Sequence, residues 1–191
     1  MQIQDFTPPL AHTADRHHLY ERAVQSPRAE VDFIDQTYRK LRGRSARWLR
    51  EDFCGTAAVG CEWVRRRPTN RAVGVDRDPE VLDWAQRNNL ATLSADQRAR
   101  IQLLEQDVAT PASRPLDLVL ALNFSYWLLT DRAALRAYFA QVRTALAPDG
   151  AFLLDAYGAM TPTASSSRSG RWRTRSLGAS AMSGSRHCTT R

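Results

Sequence analysis

The sequence predicts an α/β fold, a doubly wound parallel sheet of about five strands with helices in front of it. Short apolar runs alternate with stretches of helical period from about residue 46 onwards. The segments between successive runs are long enough to cross over a sheet, as parallel neighbours require. Runs one to four end at the polar residues Glu51, Asp76, Asp107 and Asn123, and sheets of this kind bind ligands at the carboxyl ends of their strands.

Leu19, Ala23 and Val24, then Val31, Ile34, Tyr38 and Leu41, recur at spacings of three and four, so helices are expected from Asp15 to about Val24 and from Arg28 to about Leu41. Gly43 stops the second. Ala46 to Glu51 is the first strand, leading into the turn Phe53-Cys54-Gly55-Thr56, and a helix follows through Trp63 and Val64. Pro68-Thr69-Asn70 breaks that helix, and Ala72 to Val75 is a second buried strand ending in Asp76. Asp78-Pro79-Glu80 opens the next helix with proline in its first turn. Ile101 to Leu104 is the third strand, ending near Asp107. After the loop Thr110 to Pro115, Leu116 to Leu122 is almost wholly apolar, as expected of a strand covered on both faces. Asp131 caps a helix from Arg132 to Leu146, Pro148-Asp149-Gly150 turns the chain, and Ala151 to Asp155 is the fifth strand.

Three segments result: an N-terminal helical segment, 1–45, expected to act as a lid or cap; a core, 46–158; and a tail, 159–191. The tail is rich in Ser, Arg, Thr and Gly, lacks acids and has no apolar period, so it is expected to be disordered. With 26 Arg against the single Lys40, a GC-rich gene read in a shifted frame accounts for such a composition, and a frameshift or miscalled terminus is expected after about Gly158. The net charge of +7 is uneven: residues 156–191 hold six of the 27 basic residues, leaving 21 bases against 20 acids. A chain that reads nucleic acid needs its positive charge on the folded surface, so that class has little support. No run of about 18 apolar residues occurs and the first residues lack the layout of a secretory signal, so a cytoplasmic protein without membrane contact is expected. Three cysteines without CxxC spacing give neither a disulfide framework nor a metal site.

The turn after the first strand brings backbone N–H groups and a helix N-terminus to one place, with Gly55 allowing close approach. Many proteins use such a glycine for packing alone. Asp76 changes the reading, because it ends the next strand about twenty residues on, where a carboxylate accepts both hydroxyls of a ribose. A nicotinamide cofactor and S-adenosylmethionine both fit that pairing. The turn has one of the three glycines a pyrophosphate wants, and Glu51 would repel phosphate while suiting an ammonium group or an ordered water, so S-adenosylmethionine is favoured.

The strings ExxCGT, GVDRDPEVLDWA, EQDV, LNFSYW and LAPDGAFLLDAYG, in that order from Glu51 to Gly158, resemble the successive motifs of class I S-adenosylmethionine-dependent methyltransferases. LYERAVQSP and LREDFCGTA resemble a bacterial subgroup of that family. The resemblance implies a Rossmann-like core with Glu51, Phe53, Gly55 and Thr56 around the methionine part, and Asp76 on the ribose. It also implies Arg77 beside the adenine, Asp107 and Val108 at the adenine's amino edge and ring, and Asn123 under the methionine amino group. Phe53 departs from the broad pattern, where most relatives have glycine; a bulky residue there narrows the pocket or alters the pose.

Phe124, Tyr126 and Trp127 follow the fourth strand, where this fold presents its acceptor, and substrate contact and core packing both remain open for them. Tyr20 either closes over the cofactor or is a half-buried core residue, the second role preferred. Asp107 equally well simply ends a strand. His17 and His18 are expected to face solvent, and Arg65-Arg66-Arg67 to complement a helix dipole. No catalytic base stands out, which in-line methyl transfer tolerates, and a small-molecule acceptor is expected rather than nucleic acid. A complete fold of the class continues beyond the fifth strand. A truncated chain with an uncovered strand at 151–154, weak cofactor binding and little or no turnover is therefore expected. A non-catalytic cofactor-binding fragment and a nicotinamide-dependent oxidoreductase stay as alternatives.

Overall fold

The computed structural model describes residues 14–156. The tail expected at 159–191, and with it Cys188, lies outside the described residues. The elements run α1 (Arg16–Val24), α2 (Pro27–Arg42), β1 (Trp48–Asp52), α3 (Ala58–Arg66), β2 (Arg71–Asp76), α4 (Pro79–Asn88), α5 (Ala95–Arg98), β3 (Ile101–Glu105), β4 (Leu116–Ala121), α6 (Arg132–Ala145) and β5 (Leu146–Leu154), with 3₁₀ turns at Leu90–Thr92 and Ser125–Leu128. The sheet is parallel throughout, in the order β3-β2-β1-β4-β5. Strand order reverses on either side of β1, where Glu51 lies between Gly74 of β2 and Leu120 of β4. A doubly wound sheet opens its ligand crevice at that reversal.

Side chains alternate across each strand and so divide the core into two layers. Leu49, Ala72, Ile101, Leu118 and Leu120 meet α2, α3 and α4 through Val31, Ile34, Tyr38, Val59, Trp63, Leu82 and Ala85. Val119 and Ala121 face the other way, onto Tyr138 and Val142 of α6. As expected, Asp131 caps its helix, accepting Ala134 N–H at 2.9 Å, and Gly43 closes α2 in the left-handed region at φ 66°; Asp15 stands just before α1 as its cap, its carboxylate accepting His17 and His18 N–H at 2.9 and 3.0 Å.

Several boundaries differ from expectation. β1 starts two residues later than Ala46 and takes in Asp52. β3 ends at Glu105, so Asp107 lies in the loop beyond it. α6 runs straight into β5, and Pro148 to Gly150 form a bulge inside the strand instead of a turn before it: Leu116 pairs with Leu146, but Leu118 with Ala151. Arg44 secures that bulge, its Nε donating to Asp149 at 2.8 Å. α5 was not expected; Ser94 and Gln97 form a reciprocal capping box around it.

Candidate active site

A cavity of about 190 Å³ opens at the carboxyl ends of β1 and β4. Residues 51 to 56 form one wall, Leu122, Asn123 and Ser125 a second, and His17, Tyr20 and Gln25 of the N-terminal segment a third, with Val81 of α4 between them. The fold thus brings Glu51, Phe53, Gly55, Thr56, Asn123 and Tyr20 of the expected site together around one space.

Glu51 points from β1 towards the layer of α3, where its Oε2 accepts the Gly60 N–H at 3.0 Å. Gly60 suits that approach: a Cβ would come within 3.3 Å of that oxygen and 3.2 Å of Ile101, and both side chains would have to give way slightly. The side chain is buried, and burial pushes its pKa up to about 8, against the lowering pull of the Gly60 N–H. Burial likewise raises the thiol of Cys54, and that of Cys61 to about 12, so these two cysteines, both free among the described residues, are weak nucleophiles.

The turn after β1 is conformationally demanding. Phe53, Gly55 and Ala57 adopt φ of 56°, 51° and 56°, a region that costs L-residues free energy. Phe53 therefore keeps the backbone shape that glycine would supply, while its ring packs edge-on against Tyr138 at 5.8 Å. Gly55 N–H donates to Asp76 Oδ2 at 2.9 Å, and the other Asp76 oxygen accepts Asp78 N–H at 3.1 Å. The two residues singled out on neighbouring strand ends are in direct contact.

Asn123 and Phe124 share the left-handed conformation, at φ 56° and 57°. Asp155 holds both, its oxygens accepting their N–H groups at 2.9 Å each. Phe124 and Trp127 stack at 5.6 Å on the exposed side of this loop, and Tyr126 packs partly into the α6 layer. These three do not line the cavity, nor do Asp76, Arg77, Asp107 and Val108. Arg77 and Asp107 are exposed; Asp107 accepts Ala109 N–H at 2.7 Å and Val108 is buried. Two expectations about the N-terminal segment need correcting. His17 packs on Trp84 at 5.5 Å and lines the cavity instead of facing solvent. Tyr20 is not a core residue, because α1 buries none of its side chains.

The reading from sequence missed a buried polar network beneath the turn. Arg50 Nε meets Asp52 Oδ1 at 2.6 Å, its two NH groups hold the carbonyls of Thr110 and Val108 at 3.0 and 2.7 Å, and Tyr138 donates to Asp52 at 2.9 Å. The signal was present: charges inside a doubly covered strand must be paired. Asp155 was readable in the same way, since it closes the fifth strand as Asp76 closes the second. Gln25 and Asn89, which hold Thr56 through its hydroxyl at 3.5 Å and its carbonyl at 2.9 Å, carried no signal. Among the described residues no group of His, Cys, Asp and Glu is placed to hold a metal, and no helix is long and apolar enough to cross a membrane.

A family model described as a methyltransferase domain matches residues 54–152, just over half of the chain. Among solved structures, the glycopeptide N-methyltransferase MtfA is 25% identical with a TM-score of 0.55, over 69% of this chain and 54% of that one. An S-adenosylmethionine-dependent methyltransferase from Clostridium acetobutylicum is 22% identical with a TM-score of 0.61, over 72% and 54%. The sugar N-methyltransferase KedS8 from Streptoalloteichus is 21% identical with a TM-score of 0.60, over 87% and 63%. The chain therefore spans about half the length of the first two and under two thirds of the third. No curated protein matches it.

Proposed function

The chain belongs to the methyltransferase-domain family, and on that premise we propose that its cleft binds S-adenosylmethionine for transfer of a methyl group to a small-molecule acceptor. The observation that carries the reading is the cavity wall itself, with the buried Glu51 carboxyl beside the Gly55–Asp76 contact at the point where strand order reverses. An acid in that wall offers a phosphate no cation and, once ionised, favours an ammonium group, which together with the family match sets the nicotinamide alternative aside.

Glu51, Phe53, Gly55, Thr56 and Asn123 surround the amino-acid part of the cofactor in this reading. Asp76 turns from its backbone donors to the ribose, and Arg77, Asp107 and Val108 border the adenine outside the present cavity. Bound there, the cofactor supplies a methyl group on a sulfonium, an electrophile with a good leaving group. The protein's contribution is to hold donor and acceptor in line and to exclude water, so a general base is not required of the cleft. α1, with His17 and Tyr20 on the cavity, serves as the lid expected of residues 1–45. Phe124, Tyr126 and Trp127 border the acceptor side. A small acceptor accords with the near-neutral charge of the body and with the glycopeptide and sugar methyltransferases that share the fold.

Calorimetric titration of the full chain with S-adenosylhomocysteine and NAD in parallel tests the proposal. S-adenosylhomocysteine is expected to bind, NAD not to, and Asp76→Ala to weaken binding by roughly tenfold or more through lost hydrogen bonds to a charged group. Binding of NAD alone would overturn it. A screen with radiolabelled cofactor then finds the acceptor.

A further inference from the structure

Glu30 stands in the first turns of α2. Its Oε1 accepts the Ser26 N–H at 3.1 Å, closing back on the residue before the helix. Its Oε2 is buried and has no hydrogen-bond partner. Capping requires only one oxygen, so the second is held away from water with nothing in return. Ser26, to which it is bonded, directly follows Gln25 of the cavity wall, so the carboxylate lies next to that wall without itself lining it, and it acts through space on Glu51 and Tyr20, which do line it. The one hydrogen bond that Glu51 accepts among the described residues comes from Gly60. No ion pair among the described residues includes either acid. Two carboxyl groups near one cavity, without a cation of the protein's own, are an arrangement completed by a positively charged ligand group.

Resting on the cofactor reading above, we infer that Glu30 is, with Glu51, the second carboxylate of a clamp for the α-ammonium group of the bound amino-acid moiety. The clamp joins the N-terminal helices to the sheet through the ligand. Glu51 approaches from β1 and Glu30 from α2, and Tyr20 lies on the cavity wall within the field of Glu30. The ligand class is specific: an adenosyl compound that keeps its free amino group is held by both acids, and one that lacks the amino acid by neither.

The variant Glu30→Gln separates charge from capping, because its amide oxygen still accepts the Ser26 N–H. Calorimetry on the full chain compares S-adenosylhomocysteine with 5′-methylthioadenosine, which has the same nucleoside and no amino acid. The variant is expected to bind S-adenosylhomocysteine roughly tenfold more weakly, with 5′-methylthioadenosine unchanged. Unchanged binding of S-adenosylhomocysteine overturns the inference and leaves the cofactor reading standing. Equal weakening of both probes also overturns it, because Glu30 then acts on the fold and not on the ammonium group. If neither probe binds the parent chain, the cofactor reading itself falls and this inference falls with it.

Discussion

Glu51 is a carboxyl group kept where its charged form is costly, and pH tests that directly. Burial raises its pKa to about 8, the Gly60 N–H lowers it, and the facing acids Glu30, Asp76 and Asp52 add to the rise. A glutamate in the unfolded chain ionises near ~4.3. Between those values the folded protein retains a proton that the unfolded chain has lost. The group's contribution to stability is therefore full below the unfolded pKa and disappears as pH rises through about 8. Glu51→Gln is expected to melt above the parent near pH 8 and to differ little near ~pH 4.3, as followed by thermal denaturation. Ligand binding has the opposite slope. A cationic amino group selects ionised Glu51, so affinity for S-adenosylhomocysteine should climb towards tenfold per pH unit below about pH 8 in the parent, and the Gln variant should lose that slope. Gly55 offers a second test at this scale. It sits at φ 51°, and a Cβ there would meet nothing within 4 Å. Gly55→Ala is then expected to cost only about 1 kcal/mol of left-handed strain in denaturant unfolding, while S-adenosylhomocysteine binding falls by roughly tenfold or more because the methyl occupies the approach to the turn. A binding loss no larger than the stability loss would mean that no ligand comes close to Gly55.

α1 lines the cavity with His17 and Tyr20 and is held to the molecule without a core of its own. It buries no side chain. Beside the His17 ring on Trp84, its attachments to α4 and the residue after it are polar: Trp84 Nε1 to Asp15 at 2.6 Å, Asn89 to Glu21 at 2.5 Å, and an exposed Arg16–Glu80 pair worth little in water. α2, by contrast, buries Val31, Ile34 and Tyr38. Amide hydrogen exchange is expected to be faster in 16–24 than in 27–42, and S-adenosylhomocysteine to slow the former. Asp15→Ala removes the cap and the Trp84 contact together, so exchange in 16–24 is expected to quicken and the ligand to bind more weakly with it. Exchange in α1 as slow as in α2, without ligand, would contradict the lid. The existence and order of most of these elements were legible because they carry their own periodicity and their own stops: Gly43, Pro79 and Asp131 act as the sequence suggests. Contacts distant in sequence were not. Asp52 and Tyr138 are 86 residues apart, and nothing local to either names the other, although a buried acid in a covered strand announces that some partner exists. Gln25 and Glu30 are surface-type residues until α2 is laid beside the turn.

At the scale of the whole molecule, the parallel sheet was legible and its order was not, since alternation of strands and helices specifies handed crossovers but not on which side each strand is added. The order observed makes sense of the site. With β1 at the reversal, the two strand ends that flank the crevice are those carrying Glu51 and Asn123, while Asp76 and the Asp107 loop stand progressively further out. It also leaves β5 at an edge, paired only with β4 among the described residues. No residue of β5 is buried, Leu154 is 37% exposed, and Ala151 to Leu154 carries no charge. An apolar strand left unpaired along one side among the described residues is a template for another strand, and Lys is the residue that natural edges use against such pairing. The full chain is expected to self-associate with rising concentration in light scattering, and Leu154→Lys to shift it towards monomer while leaving S-adenosylhomocysteine affinity unchanged, because Leu154 is not on the cavity wall. A parent that stays monomeric at every concentration, with a Lys variant that scatters identically, would show that the free side of β5 is already covered in solution.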